Sequence, residues 1–329
     1  MSEADLVVRA AWLYYIHGHG QEEVARKLHI SRSKVTRLLS NARESGVVKI
    51  GIEHETTETL ALSDWIVSAY GVGACLLTPI GVSSDNPEVA ERLGRRSVGI
   101  VAADYVGRRV SAADPVTIGL GAGQTVAEMV NAFSTVAKPD ARVISILGAS
   151  ANDDGNGSYS LTLKFANAIG GTPVLYPAPM IVRDPRVHAG LMREPAAALT
   201  HEKWASADFL ILSCSDCSEA NSYFHSAQVQ VEDRKAARAA GAVAEIAGLF
   251  LDADGRAVDV ELNRARTGPP LDLLRGADTV VVAAGRRKAA ALRAVMKAGL
   301  AKTIVIDMPA AEELAKRADR ALAEGGLVG

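Results

Sequence analysis

Two stretches of this 329-residue sequence carry residue types and spacings with chemistry in them. The first is Ser31-Arg32-Ser33-Lys34-Val35-Thr36-Arg37. Read as a helix, it continues with Leu38, Leu39 and Ala42 sharing an apolar stripe with Val35, and it leaves Arg32, Ser33, Lys34, Thr36, Arg37 and Asn41 pointing outward. Bases on such a face neutralise phosphates, and side chains at the start of the helix reach base edges in the major groove. The second stretch is Thr117 to Thr125, where Gly119, Gly121 and Gly123 precede Gln124 and Thr125. Glycines let backbone amides approach a ligand closely. A helix starting at this point adds the positive end of its dipole and Thr125 adds a hydroxyl, a set of groups suited to an anion. A dinucleotide site would need an acid about 20 residues on at the end of a following strand, and a nucleotide-hydrolysing loop would need Gly-Lys-Ser/Thr. Neither occurs, and a glycine turn of this kind also arises merely to pack a helix on a strand.

Cys214-Ser215-Asp216-Cys217 has the spacing of redox and zinc sites. A structural zinc site needs a second pair, and a thioredoxin-like site needs a helix after its first cysteine. Both are missing, so the cysteines read as the wall of a pocket at the carboxyl end of a strand. No Gly-x-Ser-x-Gly and no His-Glu-x-x-His supports a hydrolase.

The elements that must position these residues follow from periodicity. Leu6 to Ile16 reads as a helix ended by Gly18-His19-Gly20, and Gln21 to Leu28 as a second helix. The turn His29-Ile30-Ser31 leads to a third, N-capped by Ser31, which runs to about Glu44 and stops at Gly46. Two short helices and a three-residue turn make a helix-turn-helix, and Val47 to Ile52 reads as the strand of a wing. An amphipathic three-helix cap or dimerisation domain with a solvated charged face would show similar periodicity. Charge favours the nucleic-acid reading. Residues 21–50 carry a balance of +4 inside a chain of net charge -2, a basic module on an acidic remainder.

His54 to Leu62 is polar, which places a boundary between a unit over 1–54 and a unit over 55–329. Beyond it, strand signals at 74–78, 116–118, 143–147, 173–176, 209–213, 279–283 and 303–306 alternate with helical ones, the rhythm of a doubly wound, mostly parallel α/β sheet. Composition agrees, with 48% hydrophobic and 5% aromatic residues. No apolar run approaches the ~18 residues of a membrane span, and three cysteines are too few for a disulfide framework. A cytoplasmic protein with no membrane partner is expected.

The stretch ARKLHISRSKVTRLLSNARESGVVKI resembles the DNA-binding half of the SorC family of sugar-responsive transcriptional regulators, whose pattern is S-R-x-x-V-x-R-L-L-x-x-A-R-x-x-G-x-V-x-I. His29 stands where that family usually has Gly, a change the turn tolerates because His enters left-handed conformations more readily than most residues. Further stretches, Val143 to Gly148, Gly241 to Phe250, Val282 to Lys288 and Ile304 to Asp307, resemble in order and separation the family's sugar-binding domain, which is similar to the phosphosugar isomerase and CoA-transferase fold. The resemblance implies Gly121, Gly123, Gln124, Thr125 and Lys288 at the phosphate end of an effector and Glu245 at its hydroxyl end, with Asp307 near the same pocket. Ala122, in place of a frequent bulky aromatic, and Met308-Pro309 after Asp307 depart from the pattern and bear on effector identity. Read without the resemblance, Glu245 is a surface acid on a turn, Lys288 a solvated lysine in the first turn of a helix, and Asp307 the cap of a helix over 310–318. The implied protein is a repressor of a carbohydrate-catabolism operon. It needs no cofactor, and its partners are double-stranded operator DNA, a sugar or sugar-phosphate effector and further copies of the chain, as a dimer or tetramer. The alternative is a sugar-phosphate isomerase-like enzyme, with Glu245, Asp307 and Lys288 moving a proton on an open-chain sugar.

Overall fold

The computed structural model describes residues 2–49, 57–78, 84, 86–150, 155–218 and 228–325, the side chains of 57, 58 and 317–325 excepted. The chain separates into two units, Met1–Ile52 and Glu53–Gly329.

In the smaller unit, α1 (Glu3–Ala11) opens on a reciprocal cap. The Ser2 hydroxyl accepts from the Asp5 amide and the Asp5 carboxylate accepts from the Ser2 amide, each at 3.1 Å. The helix expected through Ile16 is α-helical only to Ala11 and continues as a π-helical turn, Trp12–Ile16. α2 (Gln21–Leu28) and α3 (Arg32–Glu44) follow. Val7, Ala10, Val24, Ala25, Val35, Leu38, Leu39 and Ala42 form one buried cluster. Between α2 and α3 the chain turns through His29, which sits in the left-handed region at φ 53 and ψ 45. The Ile30 amide donates to the Ala25 carbonyl at 3.0 Å and the Ile30 side chain packs on the cluster, which closes the turn as a helix-ending motif. Holding a non-glycine residue there costs roughly 1–2 kcal/mol. The expected wing is described only through Lys49. Residues 47–49 form no strand, and the rest lies outside the described residues.

The larger unit runs α4 (Thr57–Tyr70), β1 (Ala74–Leu77), α5 (Pro87–Ala112), β2 (Thr117–Leu120), α6 (Gln124–Ala132), β3 (Arg142–Ser145), α7 (Ser158–Ile169), β4 (Thr172–Val174), α8 (Pro185–Arg193), α9 (Pro195–Ala205), β5 (Phe209–Asp216), α10 (Val231–Ala239), β6 (Ala244–Ile246), β7 (Leu249–Leu251), α11 (Glu261–Ala265), α12 (Leu271–Gly276), β8 (Thr279–Ala283), α13 (Ala289–Lys297), β9 (Thr303–Ile306) and α14 (Met308–Gly325). Seven strands pair in the order β1-β9-β8-β5-β2-β3-β4, all parallel. Alternate residues of each strand enter different cores. Leu210, Leu212, Val281, Ile304 and Ile306 belong to one, while Phe209, Ile211, Val280, Val282 and Val305 belong to the other. Helices therefore cover both faces, as the continuous apolar strands require.

The seven expected strands are β1 to β5, β8 and β9. β6 and β7 are additional. They form an antiparallel hairpin continuing from the end of β5, with Ser215 opposite Glu245. Its two-residue turn, Ala247-Gly248, has positive φ at both positions (49 and 74), the geometry that suits the twist of a tight hairpin. Three-residue strands and an Ala at the first turn position leave almost no trace in periodicity, so Glu245, which could be read as a surface acid on a turn, is in fact a buried strand residue.

Candidate functional site

On the smaller unit the candidate surface is the exposed side of α3. Ser31 accepts from the Lys34 amide at 3.2 Å, so the helix begins where the sequence suggests. Arg32, Ser33, Thr36, Arg37 and Asn41 are exposed and Lys34 is half-buried. These residues are not equivalent. Arg32 pairs with Glu22 of α2 at 3.5 Å, and the Thr36 hydroxyl donates to Gln21 and to the Arg32 carbonyl at 3.2 Å. Ser33 shares a hydrogen bond with the Ser31 hydroxyl. Arg37 has no hydrogen bond or ion pair among the described residues, which leaves its guanidinium fully available to an anion.

On the larger unit the candidate site is a cavity of about 520 Å³ at the carboxyl ends of the parallel strands. Its position follows from topology. From β2 the chain proceeds outward through β3 to β4, then returns to the other side of β2 and proceeds through β5, β8 and β9. The direction reverses between β2 and β5, and loops leaving those strands diverge and open a crevice.

The floor is the glycine loop between β2 and α6. Gly121 is packed closely, since a Cβ there would stand 2.9 Å from Leu212 Cδ2 and 3.3 Å from the Ile211 carbonyl oxygen. Gly123 is required by conformation, with φ at 116, and a Cβ there would stand 2.7 Å from Ser213 Oγ. That hydroxyl donates to the Ala122 carbonyl at 2.9 Å, and the Gly123 amide donates to the Asn156 carbonyl at 3.1 Å, so β5 and the segment before α7 hold the loop in place. Gly123 precedes α6 and Gly157 precedes α7, and neither glycine has a side chain with which to cap its helix. Two helix N-termini, neither capped by the side chain of its own N-cap residue, thus meet one cavity, where the positive ends of their dipoles favour an anion. Gln124, Thr125 and Ser158 line the same wall.

Lys288 reaches the cavity from the turn after β8. β8 ends at Ala283, and a 3-10 turn over Arg286–Lys288 follows Gly285 (φ 97) and puts Lys288, half-buried, on the cavity surface. Asp307 stabilises that turn. Buried at the end of β9, it accepts from the Gly285 amide at 2.9 and 3.0 Å and from the Ala310 amide at 3.1 Å. Burial raises its carboxyl above the ordinary range, with the amide hydrogen bonds acting in the other direction. Asp307, expected among the effector contacts, is not among the residues that line the cavity; it caps α14 and holds the turn that precedes Lys288.

The far wall is β5 with the β6–β7 hairpin, bringing Ser213, Ser215, Asp216 and Glu245 to the cavity. Glu245 accepts from the Gly248 amide at 2.8 Å, and burial pushes its carboxyl up to about 7, with the Gly248 amide, Lys288 and Arg266 opposing. Cys214 lines the cavity and Cys217 does not. Burial pushes both thiols up to about 12, the opposite of what a nucleophilic or metal-binding thiolate needs. Gly121, Gly123, Gln124, Thr125, Glu245 and Lys288 therefore share one cavity. Sequence reasoning missed Glu91 and Arg95 on α5, Arg287, Asn156 and Ser158, whose only local signal is the pair of bases beside Lys288.

A helix-turn-helix unit joined to a doubly wound unit with a polar cavity at its switch point is the architecture of a ligand-responsive transcription factor. The model of the family described as "Putative sugar-binding domain" matches residues 54–316. The chain belongs to that family, the sugar-binding transcriptional regulators of the SorC type. It is similar to the erythritol catabolism regulatory protein EryD of Brucella abortus, 25% identical with 95% of this chain and 98% of EryD covered. The transcriptional regulator LsrR of Klebsiella pneumoniae is 27% identical over 90% of this chain and 88% of its own length. The fold matches the full-length sorbitol operon regulator SorC of Klebsiella pneumoniae with a TM-score of 0.69 at 22% identity, over 94% of this chain and 98% of that one. These relatives are regulators, and the chain is a transcriptional regulator rather than an enzyme. No described helix is long and apolar enough to cross a membrane.

Proposed function

We propose that this regulator is a cytoplasmic repressor of a carbohydrate-catabolism operon, and that a phosphorylated sugar or polyol in the cavity lowers its affinity for operator DNA. The observation that carries the reading is the polarity of the cavity. The glycine loop with the start of α6, the start of α7 and Lys288 line it together with the carboxylates Glu245 and Asp216 and the hydroxyls of Ser213 and Ser215. A phosphate is met by amides and a point charge, and hydroxyls are met by carboxylate acceptors. The names of the relatives agree with a polyol or sugar, since erythritol and sorbitol regulators are among them.

DNA binding belongs to α3, with Arg37 and Lys34 on phosphates and the start of the helix against base edges. One 13-residue helix reads a single half-site, so two or more copies of the chain act together. Coupling is by linkage: an effector that binds the DNA-incompetent arrangement better weakens operator binding by the factor by which operator weakens the effector. The test is an anisotropy titration of operator DNA with the full chain across a panel of sugar and polyol phosphates. Release of operator by at least one phosphorylated compound, and by none of the unphosphorylated counterparts at equal concentration, is the expected result. Release by the free sugars alone would overturn it.

A further inference from the structure

Three side chains at the rim of the cavity have no part in the reading above. Arg287 Nη2 reaches both carboxylate oxygens of Glu91, at 2.9 and 2.7 Å, and Arg95, one turn further along α5, reaches the same carboxylate at 3.2 Å. All three line the cavity that holds the glycine loop and Lys288. Two guanidinium groups converging on one point are the usual receptor for a phosphate or carboxylate, because each presents a planar fork of donors. In this molecule that receptor holds a carboxylate of the protein itself. Lys288, the residue after Arg287, has no ion pair among the described residues.

The cavity therefore offers an incoming ligand one cation without an ion-pair partner and one pair of cations already neutralised. Glu91 is 27% exposed at its side chain and Arg287 55%, so the pair sits at a solvated rim where exchange of partners is physically open. We propose that Glu91 makes the cavity selective for effectors with a single anionic group, by occupying the arginines that would otherwise bind a second one. A ligand with a phosphate or carboxylate at its far end has to displace Glu91 and then lie beside that displaced charge, whereas a far end bearing hydroxyls leaves the cluster intact. This rests on the phosphate reading of the cavity and deepens it: the effector is a monophosphate of a sugar or polyol with an uncharged distal end, and Glu91 is the residue that sets that limit.

The experiment uses calorimetric titration of the full chain with inorganic phosphate and with two matched pairs, fructose 6-phosphate against fructose 1,6-bisphosphate, and glucose 6-phosphate against 6-phosphogluconate. The wild type should bind the member of a pair with one anionic group more tightly. In Glu91→Gln, and in Glu91→Ser as a second variant, the affinity ratio should shift toward the doubly anionic member by at least tenfold, and adding Arg287→Ala should remove the shift. Glu91→Asp, which keeps the charge, should keep the wild-type preference. Monophosphate binding with the ratio unmoved in both neutral variants overturns the role of Glu91 and leaves the phosphate site standing. A wild-type preference for the doubly anionic members also overturns it. If inorganic phosphate and both monophosphates fail to bind the wild type, the phosphate reading itself fails, and this inference with it.

Discussion

The two candidate sites of this molecule are built in opposite ways. The α3 surface is one contiguous run of sequence whose side chains project from a single helix, mostly exposed, and its side-chain contacts reach no further than fifteen residues along the chain. The cavity gathers side chains from α5, the glycine loop, the segment before α7, β5, β6 and the turn before α13, and it keeps Thr125, Glu245 and the positioning residue Asp307 buried. An exposed charged surface works in high dielectric and is screened by salt. A buried site works through desolvated groups whose protonation and hydrogen bonding respond to the fold around them. The surface should thus be sensitive to ionic strength and tolerant of structural change, and the cavity the reverse.

The sharpest way to break that contrast is on the exposed side. Arg32→Ala with Arg37→Ala should weaken operator binding by roughly a hundredfold or more, and each lost phosphate contact should reduce the slope of log affinity against log salt by about 0.9. Because Arg32 is already paired with Glu22, Arg37→Ala alone should account for most of the loss. Anisotropy titrations at several salt concentrations read both quantities, and an unchanged slope in the double variant would remove α3 from the DNA interface.

Next in size is the cavity. Lys288→Ala should lower affinity for a phosphorylated effector by about tenfold or more, as expected for a charged hydrogen-bond partner worth about 1.5–3 kcal/mol, while operator affinity stays at the wild-type value. Thr125→Val should act in the same direction and less strongly. If either variant loses operator binding with its effector response, the substituted residue is structural and the contrast between the two regions collapses.

The third prediction uses pH. The carboxyl of Glu245 moves from its ordinary value of 4.5 to about 7 on folding, because burial disfavours its charge. The unfolded chain ionises this group first as pH rises. The associated stability is present below about 4.5, declines across the interval and is gone above about 7. Relative to Glu245→Gln, the wild type should lose on the order of 3 kcal/mol between those limits, at about 1.4 kcal/mol for each pH unit. Urea unfolding midpoints at pH 4.5, 6 and 7.5 measure it, and parallel curves for the two proteins would show that Glu245 is solvated.

The smallest effect expected lies back on the exposed unit. His29→Gly removes a left-handed non-glycine residue and should stabilise the helix-turn-helix by up to about 1 kcal/mol, offset in part by the entropy of glycine in the unfolded chain. Operator affinity should not change. A lower melting temperature for that unit would mean that the His29 ring makes a contribution of its own.

Legibility in the sequence tracked this division. Ser31 as a cap, the bounds of α2 and α3, the inward stripe of Val35, Leu38, Leu39 and Ala42, and the left-handed His29 are local matters, and each appears in the structure where the residues suggest it. The end of α1 was less legible, because nothing in Trp12 to Ile16 announces a π-helical turn. In the larger unit the long apolar strands were readable, whereas β6 and β7 were too short to show a period. Asp307 shows the limit of motif reasoning: its place in the chain is beside the pocket, yet its oxygens are spent on the Gly285 and Ala310 amides.

What the sequence determined by itself is what depends on neighbours along the chain: helix periods and caps, the parallel-strand rhythm, the glycines a tight loop cannot do without, and the family pattern they compose. What only the tertiary structure decided is which distant residues meet. The reversal of strand order between β2 and β5 opens the cavity, the hairpin after β5 buries Glu245, and α5 brings Glu91 and Arg95 against Arg287, nearly two hundred residues away in the chain. Periodicity carries information over a few turns of helix or a few residues of strand, and the contacts that make this site are set by the order in which the strands pack.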